Sequence, residues 1–246
     1  MMDIASHWIF PVHAVARPGP MPRGAQRVEI EAKSGDRLVG IHLPPDSKPD
    51  KSLVLGFGGN AWNAQDAAEF LHQAFPESDV ITFFYRGYSP SQGAPSAEAL
   101  IADAPLLFDF AVKRTSPKAV VAVGMSIGSG VAATLSNSRQ LDGVILVTPF
   151  ASLREVAQAA VPWIPFGPFF AHEIDAAAAL EKSDTKVAII AGGRDDIVPR
   201  QCTEALRKRV SNLVFDKTIA AAGHNDIYAR SDFQAALREA KKRLIS

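Results

Sequence analysis

The sequence holds a single cysteine, Cys202, in 246 residues. No internal disulfide and no cysteine-based metal cluster can form from one thiol, and a reducing cytoplasm is the expected compartment. Charge of one sign is missing too. Twenty-six Lys and Arg balance 26 Asp and Glu, and no long basic run stands out, so nucleic-acid binding has no electrostatic footprint. No uninterrupted apolar stretch is long enough to span a bilayer, and no transmembrane segment is expected. Trp8 to Ala16 is apolar and ends in Ala14-Val15-Ala16, as secretory leaders do. The Lys or Arg expected before such a core is absent, and Pro11 and His13 interrupt it. A secreted or periplasmic destination is therefore the lesser expectation. Repeats and low-complexity tracts are missing as well.

What is present is an ordinary globular composition, 47% hydrophobic and 21% charged, of a length that fits one α/β domain over 1–246. Residues up to about 25 carry several prolines and little periodicity, and are expected to wrap the surface. Arg27 to Ala32 alternates in polarity, Lys33-Ser34-Gly35-Asp36 turns, and Arg37 to Leu43 alternates again. This predicts an antiparallel hairpin with one exposed face. Strands are expected at Ser52–Phe57, Asp79–Tyr85, the Val120 region, Gly143–Thr148, Lys186–Ala191 and Leu213–Ile219, with helices between them and a closing helix over Phe233–Ile245. Strands alternating with helices behind a hairpin predict a mainly parallel sheet with helices on both faces and an antiparallel start. One stretch, 151–183, interrupts the rhythm. Its Val161-Pro162-Trp163-Ile164-Pro165-Phe166-Gly167-Pro168-Phe169-Phe170 segment holds three prolines, which forbid one continuous helix. A small cap insertion is expected there.

The chemistry centres on Gly124-Met125-Ser126-Ile127-Gly128. A β-branched apolar run precedes it and a small-residue helix follows. Gly-x-Ser-x-Gly on such a strand-to-helix turn pushes the serine outward as a nucleophile. A serine nucleophile needs a base and a carboxylate to orient that base. In open parallel sheets reactive groups gather beyond the carboxyl ends of strands. Of the six histidines, His224 follows the last strand, whereas His72 falls within a helix, His42 in the hairpin, His172 in the cap, and His7 and His13 in the N-terminal tail. Asp195 and Asp196 both follow the strand 186–191, and Asp196 could instead cap the helix near Pro199. The chain order Ser126, Asp195, His224 is then that of an α/β-hydrolase triad.

From about residue 26 onward the chain resembles the α/β-hydrolase superfamily, in the branch of small serine hydrolases that includes protein depalmitoylases. The resemblance lies in Phe57-Gly58-Gly59-Asn60-Ala61, Tyr85-Arg86-Gly87-Tyr88-Ser89-Pro90-Ser91-Gln92-Gly93, the 124–128 elbow, Gly192 to Pro199, and Gly223-His224-Asn225-Asp226. Within the family's Gly-x-x-Asp-x-x-Val-Pro pattern, the orienting acid falls on Asp195. Gly58-Gly59 stands where the family has His-Gly, and Trp62 where it has a small residue. The missing histidine ordinarily braces the loop. The resemblance implies an ester or thioester hydrolase needing no metal or other cofactor. Backbone N–H groups of Ile127 and Asn60 would stabilise the oxyanion. Trp62, Trp163, Phe166 and Phe169 would line an apolar acyl site for a small-molecule ester or thioester. Tyr85 and Arg86 are expected to bond loop carbonyls and not substrate. Peptidase or amidase chemistry on the same triad, and a non-catalytic binding protein on the same fold, are the alternatives. Gly56-x-Gly58-x-x-Ala61 formally matches a dinucleotide fingerprint, but the next strand ends in Tyr85-Arg86 where that motif wants an acid.

Overall fold

A computed structural model describes residues 9–46, 48–164, 166 and 170–246. The chain divides into two compact units, Met1–Val120 and Val121–Ser246. Among the described residues the fold has eight strands in a mainly parallel sheet with an antiparallel N-terminal hairpin.

In the first unit, β1 (Gln26–Glu31) pairs antiparallel with β2 (Arg37–Leu43), so the expected hairpin forms. β1 lies at the sheet edge and most of its side chains are exposed, whereas β2 is buried almost throughout because it also pairs antiparallel with β4 (Asp79–Phe83). β3 (Ser52–Phe57) is parallel to β4 and buried at every position, which is why it reads as an unbroken apolar run. Phe84 and Tyr85, expected in that strand, lie beyond its end. α1 (Ala64–Ala74) is capped by Asn63, whose side chain accepts from the Asp66 amide, and α2 (Ala97–Thr115) is capped likewise by Ser96. The N-terminal segment is more than a surface wrap. Ile9 and Phe10 are buried. Asn60, Asn63 and Gln65 donate side-chain hydrogen bonds to the carbonyls of Ile9, Ala16 and Pro20, respectively. Ile9, Phe10 and Ala16 belong to the stretch that reads like a leader.

In the second unit, β5 (Ala119–Met125), which starts just before the boundary, and β6 (Gly143–Val147), β7 (Val187–Gly192) and β8 (Leu213–Ile219) pair in parallel in chain order. α3 (Ile127–Leu135) follows β5 directly. Between β6 and β7 lie two short helices, α4 (Leu153–Ala160) and α5 (Ala176–Glu181), on either side of the proline-rich stretch. Gln158 of α4 holds that stretch, donating to the carbonyls of Pro162 and Ile164 and accepting from the Phe166 amide. α6 (Arg200–Arg207) and α7 (Ser231–Ile245) complete the unit. No described helix is long and apolar enough to cross a membrane.

Candidate active site

The turn between β5 and α3 is as sharp as the glycine spacing requires. Ser126 has φ +53° and ψ −120°, a backbone conformation that costs a non-glycine residue about 1–3 kcal/mol and persists only where its surroundings enforce it. Two contacts enforce it. The Ser126 amide donates to the Val147 carbonyl at 2.9 Å, and the Ser126 carbonyl accepts from the amide and the hydroxyl of Ser129. A Cβ on Gly124 would stand 2.2 Å from the Gly128 carbonyl oxygen, so the first glycine of the motif is dictated by the approach of helix to strand. Ser126 is left half-buried while its neighbours on both sides are buried.

The carboxylate and the imidazole arrive on neighbouring loops. β7 and β8 are paired, and the loops beyond them dock backbone to backbone. The Gly193 amide donates to Ile219 and the Arg194 amide to Ala222, at 2.9 and 2.8 Å. A side chain at Gly193 would collide with Ala220, since its Cβ would lie 2.6 Å from that carbonyl oxygen. This docking puts Asp195 beside His224. His224 Nδ1 lies 2.8 Å from Asp195 Oδ2 and 3.0 Å from Oδ1, and Nε2 lies 3.0 Å from Ser126 Oγ. Asp195 Oδ1 also accepts from the amides of Ile197 and Val198 at 3.0 and 2.8 Å. Both side chains of the His224–Asp195 pair are more than 90% buried. A carboxylate held by two amides can only accept, so Nδ1 carries the proton and the Nε2 lone pair faces the serine.

Asp196 plays neither part weighed for it. It is exposed, and α6 begins with Pro199 in the cap position and no side-chain cap. The amides of Ile197 and Val198 just ahead of that helix are taken by Asp195 instead. Of the other histidines, His42 binds Asp79 and Arg114, His72 faces Asp46, and His172 packs against Phe170.

The Gly58–Ala61 loop is braced by two phenols. The Tyr85 hydroxyl donates to the Gly58 carbonyl at 2.7 Å and the Tyr88 hydroxyl to the Asn60 carbonyl at 2.8 Å. The two rings meet edge to face at 5.7 Å. Burial pushes both phenols up from their ordinary pKa, which keeps them protonated donors. Tyr85 thus bonds a loop carbonyl as expected. Arg86 does not: it binds Asp103 through two guanidinium nitrogens and also reaches Ser34 and Asp36. Tyr88 was not singled out from the sequence, although its place in the Tyr85–Gly93 segment was the available signal. Among the proposed acyl-site aromatics, Trp62 is half-buried against Phe70, Phe166 meets Phe170 edge to face at 5.3 Å, and Trp163 is 78% exposed. Phe169 lies outside the described residues.

No family model matches the chain. The uncharacterized protein Rv2307c of Mycobacterium tuberculosis is 31% identical over 219 residues, spanning 85% of this chain and 77% of that protein. The uncharacterized protein YfhR of Escherichia coli K12 is 30% identical over 200 residues, spanning 76% of this chain and 69% of its own length. Among solved structures, the Pyrococcus furiosus esterase Pf2001 superposes with a TM-score of 0.74 at 18% identity, over 94% of this chain and 96% of that one. The chain belongs to the family of the Mycobacterium tuberculosis protein Rv2307c, built on the α/β-hydrolase fold.

Proposed function

We propose that this protein is a serine hydrolase that cleaves a carboxylic ester or thioester through an acyl-enzyme on Ser126. The observation that supports the reading best is the hydrogen-bonded chain from Ser126 Oγ through His224 to Asp195. In this reading Ser126 Oγ attacks the acyl carbonyl and passes its proton to His224 Nε2. Asp195 holds the imidazole and stabilises its cation. Collapse of the tetrahedral intermediate expels the alcohol or thiol, which takes the proton from Nε2. Water, deprotonated by the same nitrogen, then releases the acid and regenerates Ser126. Backbone N–H groups of Ile127 and Asn60 are proposed as oxyanion donors, each of a kind that contributes about 3–4 kcal/mol to the transition state in a measured protease. Trp62, Trp163, Phe166 and Phe169 are proposed to contact the acyl chain. The lone cysteine, buried as Cys202, suits a reducing compartment, and a cytoplasmic setting goes with this reading.

Hydrolysis of a panel of acyl esters, acyl thioesters and aminoacyl amides by wild type and Ser126→Ala tests the proposal. Ester or thioester turnover that Ser126→Ala abolishes is expected. Turnover confined to amides would replace the substrate class with that of a peptidase.

A further inference from the structure

We propose that the short 3-10 turn Asp226–Ala229 is a clasp that positions His224, with Asp226 and Tyr228 as its anchors. The proposal rests on the reading of Ser126, Asp195 and His224 as nucleophile, acid and base. On the upstream side, the histidine loop is held by backbone hydrogen bonds, from Ala222 to Ile219 and from Arg194 to Ala222. His224 itself belongs to no regular element. On the downstream side, the turn does the holding. The Asp226 carboxylate folds back past His224 and accepts from the Gly223 amide. Ile227 is fully buried and plugs the turn into the core. The Tyr228 ring meets Phe233 edge to face at 5.6 Å, and its hydroxyl faces the side chain of Thr148.

Thr148 makes that second anchor relevant to the triad. It is buried, and its φ of +45° is in the left-handed region that β-branched residues avoid. Its amide donates to the Ile190 carbonyl on β7, the strand that ends before Asp195. Its hydroxyl donates to the Val147 carbonyl, the acceptor of the Ser126 amide. Tyr228 therefore sets the histidine loop against a residue already bonded to the strand that leads to the acid and to the carbonyl that holds the nucleophile. Asp226 and Tyr228 touch no reacting atom and are positioning residues. Small misplacement of an aligned catalytic group lowers rate without a matching loss of substrate binding.

The test measures kcat, KM, melting temperature and the low-field proton resonance of the His224 Nδ1–H for wild type, Asp226→Ala, Asp226→Asn and Tyr228→Phe. Asp226→Ala and Tyr228→Phe are expected to lower kcat by about 10- to 100-fold with KM little changed, and to broaden or remove the low-field signal. Asp226→Asn keeps an acceptor oxygen and is expected to restore both. Wild-type kcat and an intact signal in Asp226→Ala and Tyr228→Phe would overturn the clasp. So would losses that follow the melting temperature and that Asp226→Asn fails to rescue. If Asp226→Ala does not fold, Tyr228→Phe decides alone. A wild-type protein with no hydrolysis and no reaction at Ser126 would instead overturn the serine-hydrolase reading.

Discussion

Asp195 meets His224 with both carboxylate oxygens within 3.0 Å of Nδ1, while Asp195 Oδ1 is itself pinned by the amides of Ile197 and Val198. The acid is thus held by backbone contacts of its own as well as by the imidazole. Asp195→Asn should lower kcat about ten-thousand-fold, the loss seen when an amide at this position of another triad selects the wrong tautomer. Asp196→Asn, on an exposed side chain with no capping role, should leave kcat unchanged and stability within about 0.5 kcal/mol. Steady-state kinetics and urea unfolding of the two variants check both statements.

Ser126 carries backbone strain as well as the proposed chemistry. Replacing it by glycine relieves the positive φ, whereas alanine keeps the strained Cβ. Ser126→Gly should therefore unfold at higher urea than Ser126→Ala, by roughly 1 kcal/mol, with neither variant active. Equal midpoints would mean the elbow is not strained.

Buried charge in the first unit sets a larger dependence. Asp103 is 7% exposed and its burial raises its pKa, against the opposing pull of Arg86. Arg86→Ala would leave that carboxylate uncompensated, at a cost of about 3–5 kcal/mol. Arg86→Met paired with Asp103→Leu, which removes both charges, should recover most of the loss. Chemical denaturation of the single and double variants measures it.

His42 predicts a pH dependence away from the candidate site. Its Nδ1 accepts from Arg114 Nε at 2.9 Å and its Nε2 faces Asp79, so the buried ring is neutral. Burial first, and Arg114 second, hold its pKa below the ordinary 6.5 against the pull of Asp79. The folded protein then binds fewer protons than the unfolded chain just below that pH. Stability from this group is complete above the ordinary value and is lost as pH falls through it toward the folded value. His42→Gln should flatten that part of the stability profile, read from thermal melts between pH 5 and 8, the span over which an imidazole titrates.

The cap gives a separable prediction. Trp163 is 78% exposed, so Trp163→Ala should leave the melting temperature unchanged. Each buried CH₂ of an acyl chain gains about 0.8 kcal/mol where an apolar wall covers it, and loss of the indole should shift the optimum acyl chain length of ester substrates. Rates measured across chain length distinguish a substrate contact from a bystander.

Much of this was legible from residue order because the controlling physics is local. Gly124 stands where a Cβ would meet the Gly128 carbonyl, and His224 and Asp195 sit where parallel strands end. The hairpin at 26–43 declared itself by alternation, and β3 by an unbroken apolar run. The remainder depends on partners far along the chain. Nothing in Tyr88 indicates that its hydroxyl meets Asn60, nor in Asn60 that its amide meets Ile9. Arg86 chose Asp103, seventeen residues away on α2, over nearby carbonyls, because a buried carboxylate is the stronger acceptor. Trp163 was expected to line an acyl site, yet it is 78% exposed beside the Pro162 carbonyl that Gln158 holds.

Ser126 is proposed as the nucleophile. Labelling of the whole protein with a fluorophosphonate, followed by peptide mapping, tests it most directly. One adduct, on Ser126, absent from Ser126→Ala and strongly slowed in His224→Ala, is the predicted result. An adduct on another serine, or undiminished ester hydrolysis by Ser126→Ala, would contradict it.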